Sequence, residues 1–407
     1  MELVSRDILN TIIRNLEYKE FSVIVGPRQC GKTSVLKLLQ DYLEKQSQPV
    51  FYISLEDPQI LARLDSHPEE LFSMLPASKQ KIFVLIDEIQ YLLNPSNFLK
   101  YHFDIHNEKI KIICSGSSAF YIDQKFKDSL AGRKQIYNLY TLSFEEFIHF
   151  RTGDEKLVAE LDEIRKRDNY NSLQINRLKQ FLDEYLTFGG YPAVVLSETV
   201  ERKKTLLTEL SQSFIKRDIL ESGIKNEEKY YFLLKMLAAQ TGNLLNVNQF
   251  STSLQLSTTA IENYITTLRK TFHIHLTRPF YRNVKKELTK MPVAYFNDLG
   301  MRNILLNQFE PIEFRLEKGE LIENYVFLQL RNKYATDEIR FWRTADGNEV
   351  DFVVSTQFEK GFALECKFEE RNFSLKKYSK FTDAYPNFPL SVKSYKYTKN
   401  SNSLFSI

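Results

Sequence analysis

No run of about 18 apolar residues occurs in this 407-residue chain, so no segment reads as a membrane-spanning helix. The N-terminus shows no basic-then-apolar leader. Cysteine is scarce. Cys30, Cys114 and Cys366 form an odd set without metal-ligand spacing, which excludes a disulfide framework or a zinc ribbon, and they read as reduced thiols. An excess of one charge is lacking as well: 55 Lys and Arg against 52 Asp and Glu leave +3, too little to identify a partner. Internal repeats and low-complexity tracts are absent. These absences together describe a cytoplasmic protein. The 43% hydrophobic and 26% charged residues are those of an ordinary soluble chain. Its length exceeds one core, so two to four domains are expected. The 31 Phe and 22 Tyr are scattered, as core-filling aromatics are.

The strongest local pattern lies at residues 21–39, FSVIVGPRQCGKTSVLKLL. An apolar run breaks at Gly26 into a polar loop, and Gly31-Lys32-Thr33-Ser34 then opens a segment of helical spacing. This is the strand–loop–helix form of GxxxxGKT. Glycines let the loop wrap, so that the N–H groups of 26–34 (Gly26, Pro27, Arg28, Gln29, Cys30, Gly31, Lys32, Thr33, Ser34; Pro27 contributes no donor) enclose an anion. The helix N-terminus adds partial positive charge. Lys32 can reach the outer phosphates and the Thr33 hydroxyl can ligate Mg²⁺. Cys30 stands at that helix start, a position that lowers thiol pKa, so alkylation of Cys30 is expected to block ATP binding.

Residues 3–20 read as a helix and 49–55 as a second strand. KIFVLIDE at 81–88 is a buried parallel strand ending in two acids. Ligands sit at that edge of open α/β sheets. Asp87 then belongs to the Mg²⁺ shell, and Glu88 orients or deprotonates the attacking water. KIICSGSS at 111–118 is another strand, and Ser115 or Ser117 is its candidate γ-phosphate sensor. LAGRK at 130–134 offers Arg133 for transition-state charge, from within the chain or from a neighbouring subunit of a homo-oligomer. A strand-like 135–142 and an amphipathic 144–150 follow.

The set GPRQCGKT, FVLIDEIQ, CSGSSAF, LAGRKQIYNLYTLSFEEF and FGGYP resembles the bacterial and archaeal AAA+-like P-loop ATPases that carry a C-terminal domain of formerly unknown function. The resemblance spans nearly the whole chain. It implies a parallel sheet in which the sensor strand separates the acid-bearing strand from the P-loop strand. It also implies a helical lid, beginning in the charged stretch 155–185. The FGGYP element would face the nucleotide, with Tyr191 and Pro192 as contacts.

Residues 244–297 follow a helix–turn–helix–hairpin order, that of a winged helix. Residues 247–254 form the first helix. Ser257 caps the second, whose apolar face is Ala260, Ile261, Tyr264, Ile265 and Leu268. Strands at 273–279 and 292–296 close the unit. Between Arg269 and Lys290 stand seven basic residues (Arg269, Lys270, Arg278, Arg282, Lys285, Lys286, Lys290) and one acid, Glu287. That excess suits phosphate contacts. The early solvent face, Thr258, Thr259, Glu262 and Asn263, has no arginine for base reading, so nonspecific duplex DNA is the expected partner.

Residues 318–397 carry a third pattern: a helix with Glu323, a strand at 339–343, a turn at 346–348, a strand with Asp351, and a strand with Glu365-Cys366-Lys367. The i, i+2 spacing puts Glu365 and Lys367 on one face. Asp351 and Glu365 can bind Mg²⁺ or Mn²⁺, and Lys367 can steer the water or stabilise developing phosphorane charge. The pattern resembles the PD-(D/E)xK nuclease fold, which implies Glu323 as the helical acid of the metal site. It departs from that motif where Glu349-Val350 replaces the proline before Asp351.

The expectation is an α/β chain with four parts. They are a P-loop NTPase sheet (1–152), a helical lid (153–240), a winged helix-turn-helix (241–300) and a restriction-endonuclease-like α/β domain (301–407). ATP and Mg²⁺ are its cofactors, Glu88, Lys32, Arg133 and Lys367 its catalytic groups, and DNA, not a membrane, its partner. The alternative is a switch-type signalling ATPase with a non-catalytic C-terminal effector or assembly module.

Overall fold

The computed structural model describes residues 3–116, 130–281, 287, 289–357 and 359–407. They fall into two compact units, Met1–Tyr140 with Lys270–Phe272, and Thr141–Arg269 with His273–Ile407.

The first unit runs α1 (Asp7–Arg14), β1 (Phe21–Val25), α2 (Lys32–Lys45), β2 (Val50–Ser54), α3 (Pro58–Ser66), α4 (Glu70–Met74), β3 (Ile82–Asp87), α5 (Pro95–His106), β4 (Ile110–Gly116) and β5 (Lys134–Asn138). Its sheet has the order β2-β3-β4-β1-β5, every neighbouring pair parallel. The sensor strand β4 thus separates the acid strand β3 from the P-loop strand β1. The strands read as continuous apolar runs because both faces are covered. Val23, Val84, Ile86 and Ile112 enter one core, while Ile24, Leu85 and Ile113 enter the other with Val35, Leu36 and Leu39 of α2. Each such side chain contributes roughly 1.5–3 kcal/mol on burial.

Lys111 breaks the apolar pattern of β4. Its ammonium is buried and donates to the carbonyls of Tyr18 (2.6 Å), Asn15 (3.5 Å) and Glu20, closing the turn after α1. Burial pushes its pKa down to about 8.

The second unit begins with α6 (Phe144–Thr152), started by a reciprocal Ser143–Glu146 capping box. It continues through α7 (Glu155–Lys166), α8 (Ile175–Phe188), α9 (Pro192–Val195), α10 (Val200–Ser222), α11 (Glu227–Ala239), α12 (Val247–Leu254) and α13 (Thr258–Lys270). Then come β6 (Ile274–Pro279), β7 (Val293–Phe296), α14 (Leu299–Leu306), α15 (Lys318–Lys333), β8 (Ile339–Arg343), β9 (Glu349–Gln357), β10 (Lys360–Glu369), α16 (Ser379–Ala384) and β11 (Leu390–Lys396).

The strands of this unit form one mixed sheet, β11-β10-β9-β8-β6-β7. The β6–β7 hairpin, expected as a free-standing wing, continues the C-terminal sheet through Arg278↔Arg340 and Pro279↔Phe341. One core holds Phe144, Leu161 and Tyr185 from the segment expected as ATPase and lid. The same core holds Tyr325, Phe352 and Phe405 from the C-terminal part. Segments expected as separate domains therefore share a compact unit. The first unit ends at Tyr140, short of the expected 152. β11 was not anticipated. It pairs parallel to β10 with only Val392, Lys393 and Ser394 buried, too few apolar positions to stand out in the sequence.

Candidate nucleotide site and a second carboxylate cluster

The phosphate loop joins β1 to α2. Gly26 sits where nothing larger fits: a Cβ there would lie 1.9 Å from the Leu139 carbonyl oxygen. Gly31 has φ +101° and caps α2 in the left-handed region. Gln29 holds the same region at φ +57° without being glycine, a local strain of the kind found at ligand clamps. Lys32 is buried, and its ammonium donates to the carbonyls of Pro27 (2.8 Å) and Gly26 (3.1 Å).

Asp87, the last residue of β3, is the centre of the polar cluster. Its carboxylate accepts from the Thr33 hydroxyl at 2.7 Å, from the Tyr52 hydroxyl at 3.1 Å and from Ser115 Oγ. Burial first, then the Asp87 charge, pushes the Tyr52 phenol up. Ser115 also accepts the Glu88 backbone N–H at 2.9 Å, so one hydroxyl ties both acids to β4. Glu88 stands at φ +58°, and the Gln90 amide donates to its carboxylate. Thr33 and Asp87 face each other as a hard-cation pair does, and this donor set fits Mg²⁺. Tyr52 belongs to no motif, and Gln90, the last residue of FVLIDEIQ, has no role in that pattern, so neither was foreseen.

Two expectations are corrected. Cys30 is fully buried, its thiol turned to the Leu139 carbonyl at 3.4 Å. Burial raises its pKa, and the opposing pull of Lys32 and Arg6 is smaller. The helix start does not make it reactive, because Leu139, the residue after β5 and far along the chain, covers it. Arg133 precedes β5, and its carbonyl accepts from Phe21, the first residue of β1. Parallel pairing runs Phe21↔Lys134 to Val25↔Asn138, so Arg133 lies at the edge opposite the phosphate loop. Its guanidinium pairs with Asp104 at 2.7 Å, and a role within its own chain's site is excluded by that distance along the strand. Ser117 lies outside the described residues, as do Arg282, Lys285 and Lys286.

In the second unit, Glu323 of α15, Asp351 of β9 and Glu365 and Lys367 of β10 converge. Asp351 accepts the Cys366 N–H at 2.7 Å, Lys367 donates to Glu365, and Tyr295 of β7 donates to Glu323 at 2.6 Å. Burial, then the Glu365 charge, pushes Asp351 up to about 8. Burial and Asp351 raise Glu323 well above the usual range, and burial raises Glu365. Lys367 is raised by the carboxylates despite its own burial. A cavity of about 40 Å³ lies among Tyr295, Glu323, Glu349, Asp351, Arg343 and Gly242. Among the described residues no group of three His, Cys, Asp or Glu is placed to hold a metal ion. The expected three-acid metal set is not assembled, because each carboxylate has turned to a donor within the protein.

Tyr191 is buried in the second unit, its ring 5.7 Å from Phe214, and Pro192 opens α9. Gly190 N–H donates to Asp298 at 2.8 Å, which fixes this turn. On α13 the residues Thr258, Thr259, Glu262, Asn263, Thr266 and Arg269 are exposed, as are Arg278 and Lys290.

Residues 18–148 match the family described as AAA domain. With the loop, the acid strand and the sheet order, this defines the first unit as a P-loop ATPase domain of AAA+ type. Residues 179–311 and 318–404 match two further families, both described as domains of unknown function, DUF8612 and DUF4143. An uncharacterized protein of Methanocaldococcus jannaschii is 26% identical over 360 residues, 87% of this chain and 75% of that protein. One of Haemophilus influenzae is 25% identical over 374 residues, 86% of this chain and 84% of that protein. The solved structure of PCH-2 from C. elegans overlaps 66% of this chain and 69% of its own, with 13% identity and a TM-score of 0.34. Among the described residues no helix is long and apolar enough to cross a membrane.

Proposed function

We propose that the chain is a Mg²⁺-dependent ATPase whose second unit engages duplex DNA. The observation that carries the ATPase part is the Asp87 carboxylate, held by the hydroxyls of Thr33, Ser115 and Tyr52 at the loop-bearing edge of a parallel sheet. The loop N–H groups and Lys32 bind the phosphates. Thr33 and Asp87 would hold Mg²⁺, which when bound neutralises phosphate charge. Glu88, oriented by Gln90, takes the proton of the attacking water. Ser115 registers movement of either acid. Arg133 acts on a neighbouring copy in an oligomer. Steady-state hydrolysis by wild type, Lys32→Ala and Glu88→Gln tests the core reading. Equal rates in all three would sink it, and mass in solution with and without ATP tests the oligomer.

The DNA part rests on a groove of about 520 Å³ lined by Asn246, Thr258, Glu262, Thr266, Arg269 and Lys290, between a helix-turn-helix and its hairpin. Binding that weakens steeply with salt and ignores sequence is expected. A PD-(D/E)xK-like role for Glu323, Asp351, Glu365 and Lys367, with Mg²⁺ or Mn²⁺, is supported by the small cavity that Glu323 and Asp351 line and by the charges of Glu365 and Lys367 acting on Asp351. The switch reading is favoured by the internal partner each carboxylate already has. Plasmid incubated with either metal separates them: cleavage lost in Asp351→Ala and Lys367→Ala supports the nuclease. Intact DNA in every nucleotide state supports the switch.

A further inference from the structure

We propose that Arg6 is a positioning residue of the phosphate loop, setting the direction of the Gly31 N–H. Arg6 stands at the start of α1 in extended conformation and is 4% exposed. One arm of its guanidinium, Nη1, donates to the Cys30 carbonyl at 2.8 Å. The other, Nη2, donates to the Tyr140 carbonyl at 2.9 Å.

The Cys30–Gly31 peptide is planar and trans, so its C=O and N–H point in opposite directions. Drawing the carbonyl onto Arg6 therefore turns the Gly31 N–H away from Arg6. Glycine on its C-terminal side imposes no Cβ barrier to rotation of this peptide. Rotated the other way, it would aim a carbonyl oxygen where a phosphate oxygen must sit. A buried guanidinium at the carbonyl makes that rotation costly, since it would strand a desolvated donor.

The second arm gives the device a fixed reference. Tyr140 follows β5 and the Leu139 N–H that bonds Val25 at 2.7 Å, so the arm is registered to the central sheet. Arginine suits the task because its fork spans two carbonyls at once, whereas an ammonium is a point donor. The nearest atom to a Cβ built on Gly31 is Arg6 Nη1, at 3.7 Å, so the guanidinium also backs the turn.

The proposal rests on reading the loop as an ATP site, and the experiment separates the two. ATP affinity by calorimetry and hydrolysis kinetics are measured on the full chain for wild type, Arg6→Ala, Arg6→Lys and Lys32→Ala. Arg6→Ala is expected to raise Kd and KM about tenfold or more while kcat changes less than about threefold. Millimolar guanidinium should restore much of the affinity. Arg6→Lys, which reaches one carbonyl, should fall between and carries the test if Arg6→Ala does not fold. Wild-type Kd and KM in both Arg6 variants overturn the proposal. So does an affinity loss that tracks thermal destabilisation and ignores guanidinium. If Lys32→Ala binds ATP as wild type does, the ATP-site reading falls and takes this one with it. Binding lost in Lys32→Ala but kept in Arg6→Ala removes the Arg6 role alone.

Discussion

Asp87, buried at the end of β3, and Asp351, half-buried on β9, are both strand acids, yet their surroundings are opposite. Asp87 accepts from three hydroxyls brought by a helix and two neighbouring strands. Asp351 receives one backbone N–H and stands among Glu323, Glu349 and Glu365, with Lys367 as the compensating cation. A charge removed from water is kept only where donors replace the water. The first unit supplies those donors. The second places carboxylates against one another, an arrangement relieved by protons or by a cation. The donor-rich acid has its lone pairs taken up by neighbours, and the crowded one has its pKa pushed up by them.

The contrast can be broken in several ways. The largest effect is expected in the first unit: Lys32→Ala should lower kcat/KM for ATP by about 10²–10³, because a preorganised cation is lost from the phosphate site. Hydrolysis that survives this change would detach the Asp87 cluster from ATP chemistry.

Next comes acid. His102 of α5 is fully buried between Phe98 and Tyr101 and bonded to the Pro68 carbonyl at 3.0 Å. Burial pushes its pKa down from 6.5 to about 4. The unfolded chain takes up a proton near pH 6.5 and the folded one only near pH 4. Its contribution is complete above pH 6.5 and is lost as pH falls through that window, at a cost of about 3 kcal/mol. Hydrogen exchange of the α5 amides between pH 7 and 4 should follow that fall. His102→Phe should flatten it.

Asp87→Asn should destabilise the first unit by about 1–3 kcal/mol, since an amide cannot accept three hydroxyls. Asp351→Asn at neutral pH should cost less than about 1 kcal/mol or stabilise, because a carboxyl pushed up to about 8 is already mostly protonated there and the amide replaces a neutral group. The single tryptophan, Trp342 on β8, reports unfolding of the second unit. Similar losses at both sites in urea would erase the distinction drawn here. The smallest effect is expected at Cys30: iodoacetamide should leave ATP binding unchanged in the folded protein, and rapid loss of binding would show the loop opens to the reagent.

Much of the first unit could be read in advance. GxxxxGKT between an apolar run and a helical repeat marks its own backbone shape, since glycines, lysine and threonine act within a few residues of one another. The acids after 82–86 mark a strand end for the same local reason. Arg6, Tyr52 and Tyr295 had no such signal, because each is one polar residue whose partner is remote in the chain. Arg133 was read before the right strand, but its distance from the phosphate loop could not be read: direction along a parallel sheet is set by pairing with β1. The helix-turn-helix segments at 247–254 and 258–270 were legible from caps and apolar spacing, but the joining of their hairpin to β8 was not. Edge pairing is made by backbone groups that every residue carries.

The amino-acid sequence by itself determined the phosphate loop, the acid pair at the end of β3 and the helical spacing that follows Gly31. All of these depend on neighbours within a turn or a strand. Only the tertiary structure decided which groups are ionised, reachable or held. It buried Cys30 under Leu139, moved Arg133 to the far edge, gave Asp87 its three hydroxyls and denied them to Asp351. Desolvation and hydrogen bonding depend on what the rest of the chain brings within a few ångströms, and no local pattern contains that.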